Sequence, residues 1–126
     1  MSVPRRHFVN IPCGEPRLEK GAALFNRHAY FEAHEVWESL WHDVDGEERQ
    51  LLQGLIQLAA ALYHLTRGNR PGAEELYLKG RVRVACWAPQ YVGLLLGDFL
   101  EAVDAHFNAI ARGEVPSSSP MLMLQA

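Results

Sequence analysis

A nearly unbroken apolar stretch between Leu51 and Leu65 is the feature that most limits how this chain can fold. Its clearest polar exceptions are Gln53, Gln57 and His64. At about 100° per residue, these three side chains fall within a stripe roughly 40° wide on one side of a helix. A helix that is apolar on its other sides is typical of a central, buried position. Because an unsatisfied buried amide or imidazole costs about 1–3 kcal/mol, the polar stripe is expected to face partners.

Helical periodicity and helix-end signals recur along the chain, and they predict an all-α fold of about five helices. Glu48 follows Asp45 at the spacing of a capping box, and Gly68 is suited to the position after a helix end. Asp98 and Glu101 repeat the capping-box spacing. No segment alternates convincingly with period two, so no sheet is predicted. The predicted helices run approximately over residues 16–27, 30–42, 45–67, 69–87 and 98–112.

The short connections between these helices favour a bundle-like array in a single domain over residues 1–126. A chain of 126 residues can bury a sizeable core without disulfides or a structural metal. Residues 1–15 are predicted to be irregular, and residues 90–97 fit either a helical turn or a buried connection. Residues 114–126 form a Pro/Ser-rich tail. Its Met121–Leu124 run is expected either to fray or to dock, on this chain's core or on a neighbouring subunit.

Composition narrows the classes of partner. The formal net charge is −3 and the pI is about 6.0, so the chain lacks the basic excess typical of proteins that bind nucleic acid.

The apolar stretches are interrupted well before the ~20 residues that a membrane-spanning helix requires. The segment after Arg5 and Arg6 lacks the apolar region of a signal peptide. Cys13 and Cys86 form no CxxC motif, so we expect a cytoplasmic protein with two free thiols.

The helix predicted before the apolar stretch carries two ionisable side chains on its aromatic face. Residues spaced by three and four positions share one side of a helix, and on this side they are Tyr30, His34, Trp37, Glu38 and Trp41. A carboxylate is rarely buried among tryptophans unless it is paired. An antiparallel hairpin would bring this face opposite the polar stripe of Gln53, Gln57 and His64.

This hairpin would bring two imidazoles and one carboxylate together between packed helices. Such a donor set suits a first-row divalent metal ion with open positions for water or substrate. We therefore predict His34, Glu38 and His64 as metal ligands. The residues predicted to line the pocket or support the ligands are Tyr30, Trp37, Trp41, Gln53 and Gln57. A metal-dependent hydrolase is the matching enzyme hypothesis, because a metal ion activates its bound water.

The same helix also carries a recognisable motif. The segment over residues 31–41 resembles the signature of the DUF309 family, His-x-x-x-Glu-x-x-Trp, here His34, Glu38 and Trp41. Residues 52–61, His64 and residues 68–73 look like the next block of that family, and the similarity covers about residues 22–112. The family consists of small all-α bacterial and archaeal proteins without an assigned biochemical activity. The resemblance implies a suggested metal-binding role for His34 and Glu38.

A non-enzymatic interpretation of the same residues is the alternative hypothesis. His34 and Glu38 can satisfy each other as a hydrogen-bonded pair, and Gln53 and Gln57 can fix helix register through an amide network. His64 alone is typical of a core histidine bonded to a neighbour. The protein is then a helical binding or assembly module that recognises a protein or an unknown small molecule. A homodimer is a further hypothesis, motivated by the apolar tail and by the apolar residues 91–96.

Overall fold

The structure is a computed structural model that describes residues 9–125. It contains five helices and one two-stranded antiparallel sheet, so the prediction of an all-α fold class is confirmed. Within the described part of the chain, no helix is both long and apolar enough to cross a bilayer. In chain order the elements are α1 (Pro16–Asn26), α2 (Tyr30–Asp43), α3 (Glu48–Thr66), α4 (Arg70–Ala85), β1 (Gln90–Tyr91), β2 (Leu94–Leu95) and α5 (Leu96–Ala111).

The small sheet corrects the sequence analysis, which predicted no strands. Gln90 pairs with Leu95 and Tyr91 with Leu94, and Gly93 lies in the connecting turn with a φ of +81°. Strands of two residues are too short to show a period-two pattern, so alternation could not reveal them. The ambiguous segment over residues 90–97 is therefore a hairpin that leads directly into α5.

Both predicted capping boxes are wrong, and burial explains the first. No side-chain cap bond forms at the α3 N-cap, Glu47. Glu48 is instead only 4% exposed, and its Oε1 accepts a hydrogen bond from the backbone N–H of Ile11 at 2.5 Å. The Glu48 carboxylate therefore bonds to a residue distant in sequence and does not cap its own helix. Helix α5 begins at Leu96, two residues before Asp98, because it continues from β2.

Helix α3 is central and packs between α2 and α4. Its crossing with α4 is close because glycines meet there. A Cβ atom built on Gly80 would lie 2.9 Å from the Gly54 carbonyl oxygen, and a Cβ on Gly54 would lie 3.0 Å from that of Gly80. The two backbones therefore approach without side chains between them, which glycine alone permits.

The packing of α1 against α2 is built around Trp37. This side chain is fully buried, and its indole Nε1 donates a hydrogen bond to the Leu18 carbonyl at 3.2 Å. The indole lies on Gly21, where an added Cβ would come within 2.1 Å of Nε1. Phe25 contacts the same indole, with the ring centroids 6.1 Å apart. Trp37 is thus a core residue beneath α1.

The C-terminal tail docks on the protein's own core. Leu122 is fully buried, and its backbone N–H and carbonyl both bond to the side chain of Asn26, at 2.7 and 2.9 Å. The tail also joins the hairpin, since the Leu95 N–H donates to the Met123 carbonyl at 3.0 Å. Of the alternatives left open by the sequence, docking on this chain is the one observed.

Helices α4 and α5 are joined by an ion pair with a tyrosine beside it. Arg81 Nε and Nη2 donate to the two carboxylate oxygens of Asp104 at 2.9 and 2.8 Å. Tyr77 donates its hydroxyl to the same carboxylate at 2.5 Å and stacks on Phe107. Burial, followed by the contact with Asp104, raises the pKa of Tyr77 to about 12. The hydrogen bonds from Arg81 lower the pKa of Asp104. These contacts fix α5 beside α4.

Candidate ligand-binding cleft

A concave surface of about 350 Å³, which we call the α2/α3 cleft, lies between α2 and α3. This volume is within the range of small-molecule sites. Its lining residues come from α2, α3 and α4, and they are His34, Glu38, Trp41, His42, Gln53, Ile56, Gln57, Ala60 and Leu76. The polar stripe of α3 and the motif helix α2 thus meet along one surface. Five of the predicted site residues line it: His34, Glu38, Trp41, Gln53 and Gln57.

Glu38 lies between two histidines at the rim of the cleft. Its Oε2 is 3.2 Å from His34 Nε2, and its Oε1 is 3.7 Å from His42 Nε2. The side chains are partly open to solvent, with 29% exposure for His34, 45% for Glu38 and 52% for His42. All three come from one helix at intervals of four residues. The carboxylate is therefore paired along α2 at the surface, whereas the sequence placed it inside, among tryptophans.

His42 is a residue that sequence reasoning missed. Glu38 lies one helical turn before it. The signal was present in the i, i+4 relation that had already paired His34 with Glu38. The row of His34, Glu38 and His42 follows from that single rule.

His34 has one satisfied and one unsatisfied ring nitrogen. Nε2 faces Glu38, and Nδ1 is buried without a hydrogen-bond partner in residues 9–125. Because a carboxylate oxygen only accepts, the neutral ring carries its proton on Nε2. Nδ1 is then a bare acceptor, which is the form that tolerates this burial best.

His64 lies in an adjoining recess. The aromatic recess, as we call it, has a volume of about 190 Å³ and is lined by Phe31, His34, Ala60, Tyr63 and His64. Nδ1 of His64 accepts a hydrogen bond from Asn69 Nδ2 at 3.1 Å, which turns the ring toward the α3–α4 connection. The three residues predicted as metal ligands do not line one cavity. Residues 9–125 contain no group of three His, Cys, Asp or Glu side chains arranged to hold a metal ion.

The two glutamines of the stripe and Trp41 have different surroundings. Gln57 accepts from Arg83 Nη1 at 3.3 Å, and Arg83 Nε donates to Gln50 at 3.1 Å. This amide–guanidinium network therefore links α3 to α4, whereas the sequence placed it between α3 and α2. Arg49 covers one face of Trp41, with the guanidinium carbon 3.6 Å from the ring centroid. Gln53 lines the cleft together with Gln57.

Two further predicted pocket residues lie elsewhere. Trp37 is in the core beneath α1, as described above. Tyr30 is 7% exposed and lines a third recess, which also contains His28 and His106 and is lined on one side by Pro116 and Ser119 of the tail. Burial raises the pKa of Tyr30 and lowers the pKa of His106. The α2/α3 cleft therefore contains neither of these aromatic side chains.

The lowered pKa of His106 predicts a pH effect on stability. An imidazole whose pKa falls on folding stabilises the protein above its ordinary pKa of 6.5, and this contribution is lost as the pH falls through the folded value. We expect the melting temperature to fall more steeply between pH 7.5 and pH 5 in the unmodified protein than in His106→Gln. Thermal unfolding followed by circular dichroism measures both profiles, and parallel profiles would contradict the assignment.

Comparison with known proteins identifies the segment that carries these features. The family model described as domain of unknown function DUF309 matches residues 18–76. The uncharacterized protein YpuF of Bacillus subtilis (strain 168) is 46% identical over 48 residues, which make up 37% of this chain and 28% of YpuF. The match thus spans little more than a quarter of that relative.

The family match ends well before the resemblance inferred from the sequence, which extended to about residue 112. It includes α2, α3 and the start of α4, and it excludes α5. Every residue that lines the α2/α3 cleft or the aromatic recess lies inside the matched segment. Residues 18–76, which carry both surfaces, are thus the part of the chain that is similar to the DUF309 family.

Proposed function

We propose that the protein is a ligand-binding domain whose site is the α2/α3 cleft, and that a divalent cation held by His34 and Glu38 is its ligand. The observation that supports this most directly is the position of Glu38 Oε2, 3.2 Å from His34 Nε2 at the rim of a concave surface. Imidazole nitrogen and carboxylate oxygen are both ligands for first-row divalent ions. Neighbouring positions one helical turn apart allow them to chelate one ion.

The row on α2 limits how many histidines one ion can take. His34 and His42 are separated by eight residues, a rise of about 12 Å along the helix. A single ion at Glu38 therefore takes one of the two histidines. His34 is the better placed, because its Nε2 lies 3.2 Å from the carboxylate against 3.7 Å for His42. Coordination through His34 Nε2 would require the ring proton to lie on Nδ1, so the neutral imidazole would bind the ion in its other tautomer.

Two ligands from the protein leave several coordination positions open toward the cleft. When bound, the ion supplies Lewis acidity to a water molecule or a substrate oxygen there. The side-chain amide of Gln53 lines the same space and offers a donor and an acceptor to orient such a group. Hydrolysis is the finer hypothesis that this arrangement supports.

Titration with Zn²⁺ tests the proposal. We expect untagged protein to bind one Zn²⁺ per chain in isothermal calorimetry, and Glu38→Gln to weaken this binding at least about tenfold. Loss of residues that merely orient a ligand already costs 10–100-fold in comparable sites. Glu35→Gln is the matched control, because Glu35 lies on the same helix with its side chain exposed. It removes the same charge without touching the cleft.

Three outcomes would overturn the metal assignment. The first is the absence of Zn²⁺ binding by unmodified protein, and the second is equal affinity in the two glutamine variants. The third is an affinity that depends on His42→Gln and not on His34→Gln, which would move the ion one turn along α2. Circular dichroism on each variant confirms that the helices are intact.

A second candidate function is a non-enzymatic binding or assembly module, as the sequence already suggested. Its support is the exposed apolar surface: Leu78 and Val82 on α4 are 59% and 63% exposed, and Met121 and Met123 in the tail are 47% and 50% exposed. Under this alternative, Glu38→Gln lowers the melting temperature and leaves the Zn²⁺ titration unchanged. A homodimer, visible in the solution mass, belongs to the same alternative.

We also propose a cytoplasmic location. The support is the state of Cys13 and Cys86, which are both exposed free thiols. Such thiols persist in a reducing compartment.

A further inference from the structure

The aromatic recess lies at one end of the α2/α3 cleft. Phe31 and His34 from α2 and Tyr63 and His64 from α3 present four rings around it, with Ala60 as the fifth lining residue. Phe31 is 47% exposed, which is unusual for a large aromatic side chain. Its ring is therefore available to a group that enters the recess.

The rings have the mutual geometry of stacking surfaces. The Phe31 and His34 rings are 6.1 Å apart and nearly parallel, at 22°. The Tyr63 ring is 5.5 Å from that of Phe31 and tilted by 48°. The small side chain of Ala60 keeps the space beside these rings open. Such a set favours a flat ring that offset-stacks on one neighbour and meets another edge-on.

The recess and the cleft adjoin each other. His34 and Ala60 line both, and Glu38 lies one turn along α2 from His34. One helical turn is about 5.4 Å, so a ring in the recess can direct a substituent at Glu38. A carboxylate only accepts hydrogen bonds, and therefore it selects an amino group or a ring N–H. The net charge of −3 disfavours phosphorylated ligands.

We propose that the aromatic recess binds the flat ring of an aminated heteroaromatic compound of the nucleobase class, with its amino group directed at Glu38. This inference rests on the proposed function only in placing the ligand in the same cleft, and it does not require the metal ion. It explains why exposed rings and an exposed carboxylate lie side by side on one surface.

Adenosine and purine riboside are the probes, because purine riboside lacks the amino group from which Glu38 would accept a hydrogen bond and carries no ring N–H in its place. We expect adenosine, titrated in buffer containing EDTA, to shift the backbone amide signals of Ala60 and Tyr63 in ¹H–¹⁵N spectra. Purine riboside should bind more weakly. Phe31→Leu keeps apolar bulk and removes the ring, so it should weaken adenosine binding about tenfold, within the range of base stacking on aromatic side chains. Leu78→Ala changes a comparably exposed apolar residue on α4 and should have no effect.

Glu38→Gln separates the two parts of the proposal. An amide still offers an acceptor but also a donor, so the preference for adenosine over purine riboside should disappear while stacking on Phe31 remains. The proposal is overturned if adenosine leaves the recess signals unchanged, if Phe31→Leu binds it as tightly as unmodified protein, or if adenosine and purine riboside bind equally. Because EDTA removes divalent ions, adenosine binding without Zn²⁺ binding refutes only the metal assignment, and the reverse result refutes only this one.

Discussion

Replacing Trp37 by alanine is expected to lower the free energy of unfolding by about 3–5 kcal/mol, the range found for loss of a large buried aromatic side chain. The indole is fully buried, contacts Phe25 and Gly21, and donates its N–H to the Leu18 carbonyl. Alanine would leave a cavity between α1 and α2 and would remove the hydrogen bond from the indole to the Leu18 carbonyl. Urea unfolding followed by circular dichroism measures the change.

A second variant keeps this prediction testable if the alanine variant does not fold, since domains are stable by only about 5–15 kcal/mol. Trp37→Phe retains most of the buried ring and loses the hydrogen bond to Leu18. It should fold with a smaller loss than Trp37→Ala. A loss below about 1 kcal/mol for the alanine variant would contradict the position of Trp37 in the core.

Replacing Gly80 by alanine is expected to destabilise the protein by about 1–3 kcal/mol, the usual cost of overpacking. The new Cβ would lie 2.9 Å from the Gly54 carbonyl oxygen and 2.9 Å from Leu58 Cγ. The first of these neighbours is backbone within α3, so it cannot move without displacing the helix. In an open helix position the same change would stabilise the protein, because alanine has the higher helix propensity.

Gly97 provides the matched control for this experiment. It also lies in a helix, α5, but its nearest neighbours are atoms of Pro89 at 3.5 Å, an ordinary contact distance. Gly97→Ala should therefore be neutral or stabilising by up to about 1 kcal/mol. Equal effects of the two substitutions in urea unfolding would show that α3 and α4 are not in backbone contact at Gly80.

The helices could be predicted because each is long and carries its own signals. Asn69 caps α4 by accepting from the Gly72 N–H, and Gly68 takes a φ of +74° after α3, as residue types alone suggest. The caps at Glu48 and Asp98 failed for a different reason. Their outcome depended on Ile11 and on β2, which are partners that sequence spacing does not reveal.

The candidate site was predictable to the extent that helical spacing determines it. The spacing placed His34 beside Glu38 and aligned Gln53 with Gln57, and these four residues line one cleft. It could not show how far each helix is rotated about its axis. That rotation buries Trp37 beneath α1 and leaves the adjacent Glu38 at the rim. The position of His64 depends on Asn69, which belongs to the following turn.

Glu38 and its two histidine neighbours all come from α2, so their spacing is set by the pitch of one helix and not by how helices are docked. Core substitutions that shift α3 or α4 would alter the opposite wall and leave this row intact. The aromatic recess, in contrast, needs rings from both α2 and α3 at the correct separation. Substitutions in related chains can therefore change which molecules the α2/α3 cleft accepts, while the row of His34, Glu38 and His42 keeps its spacing.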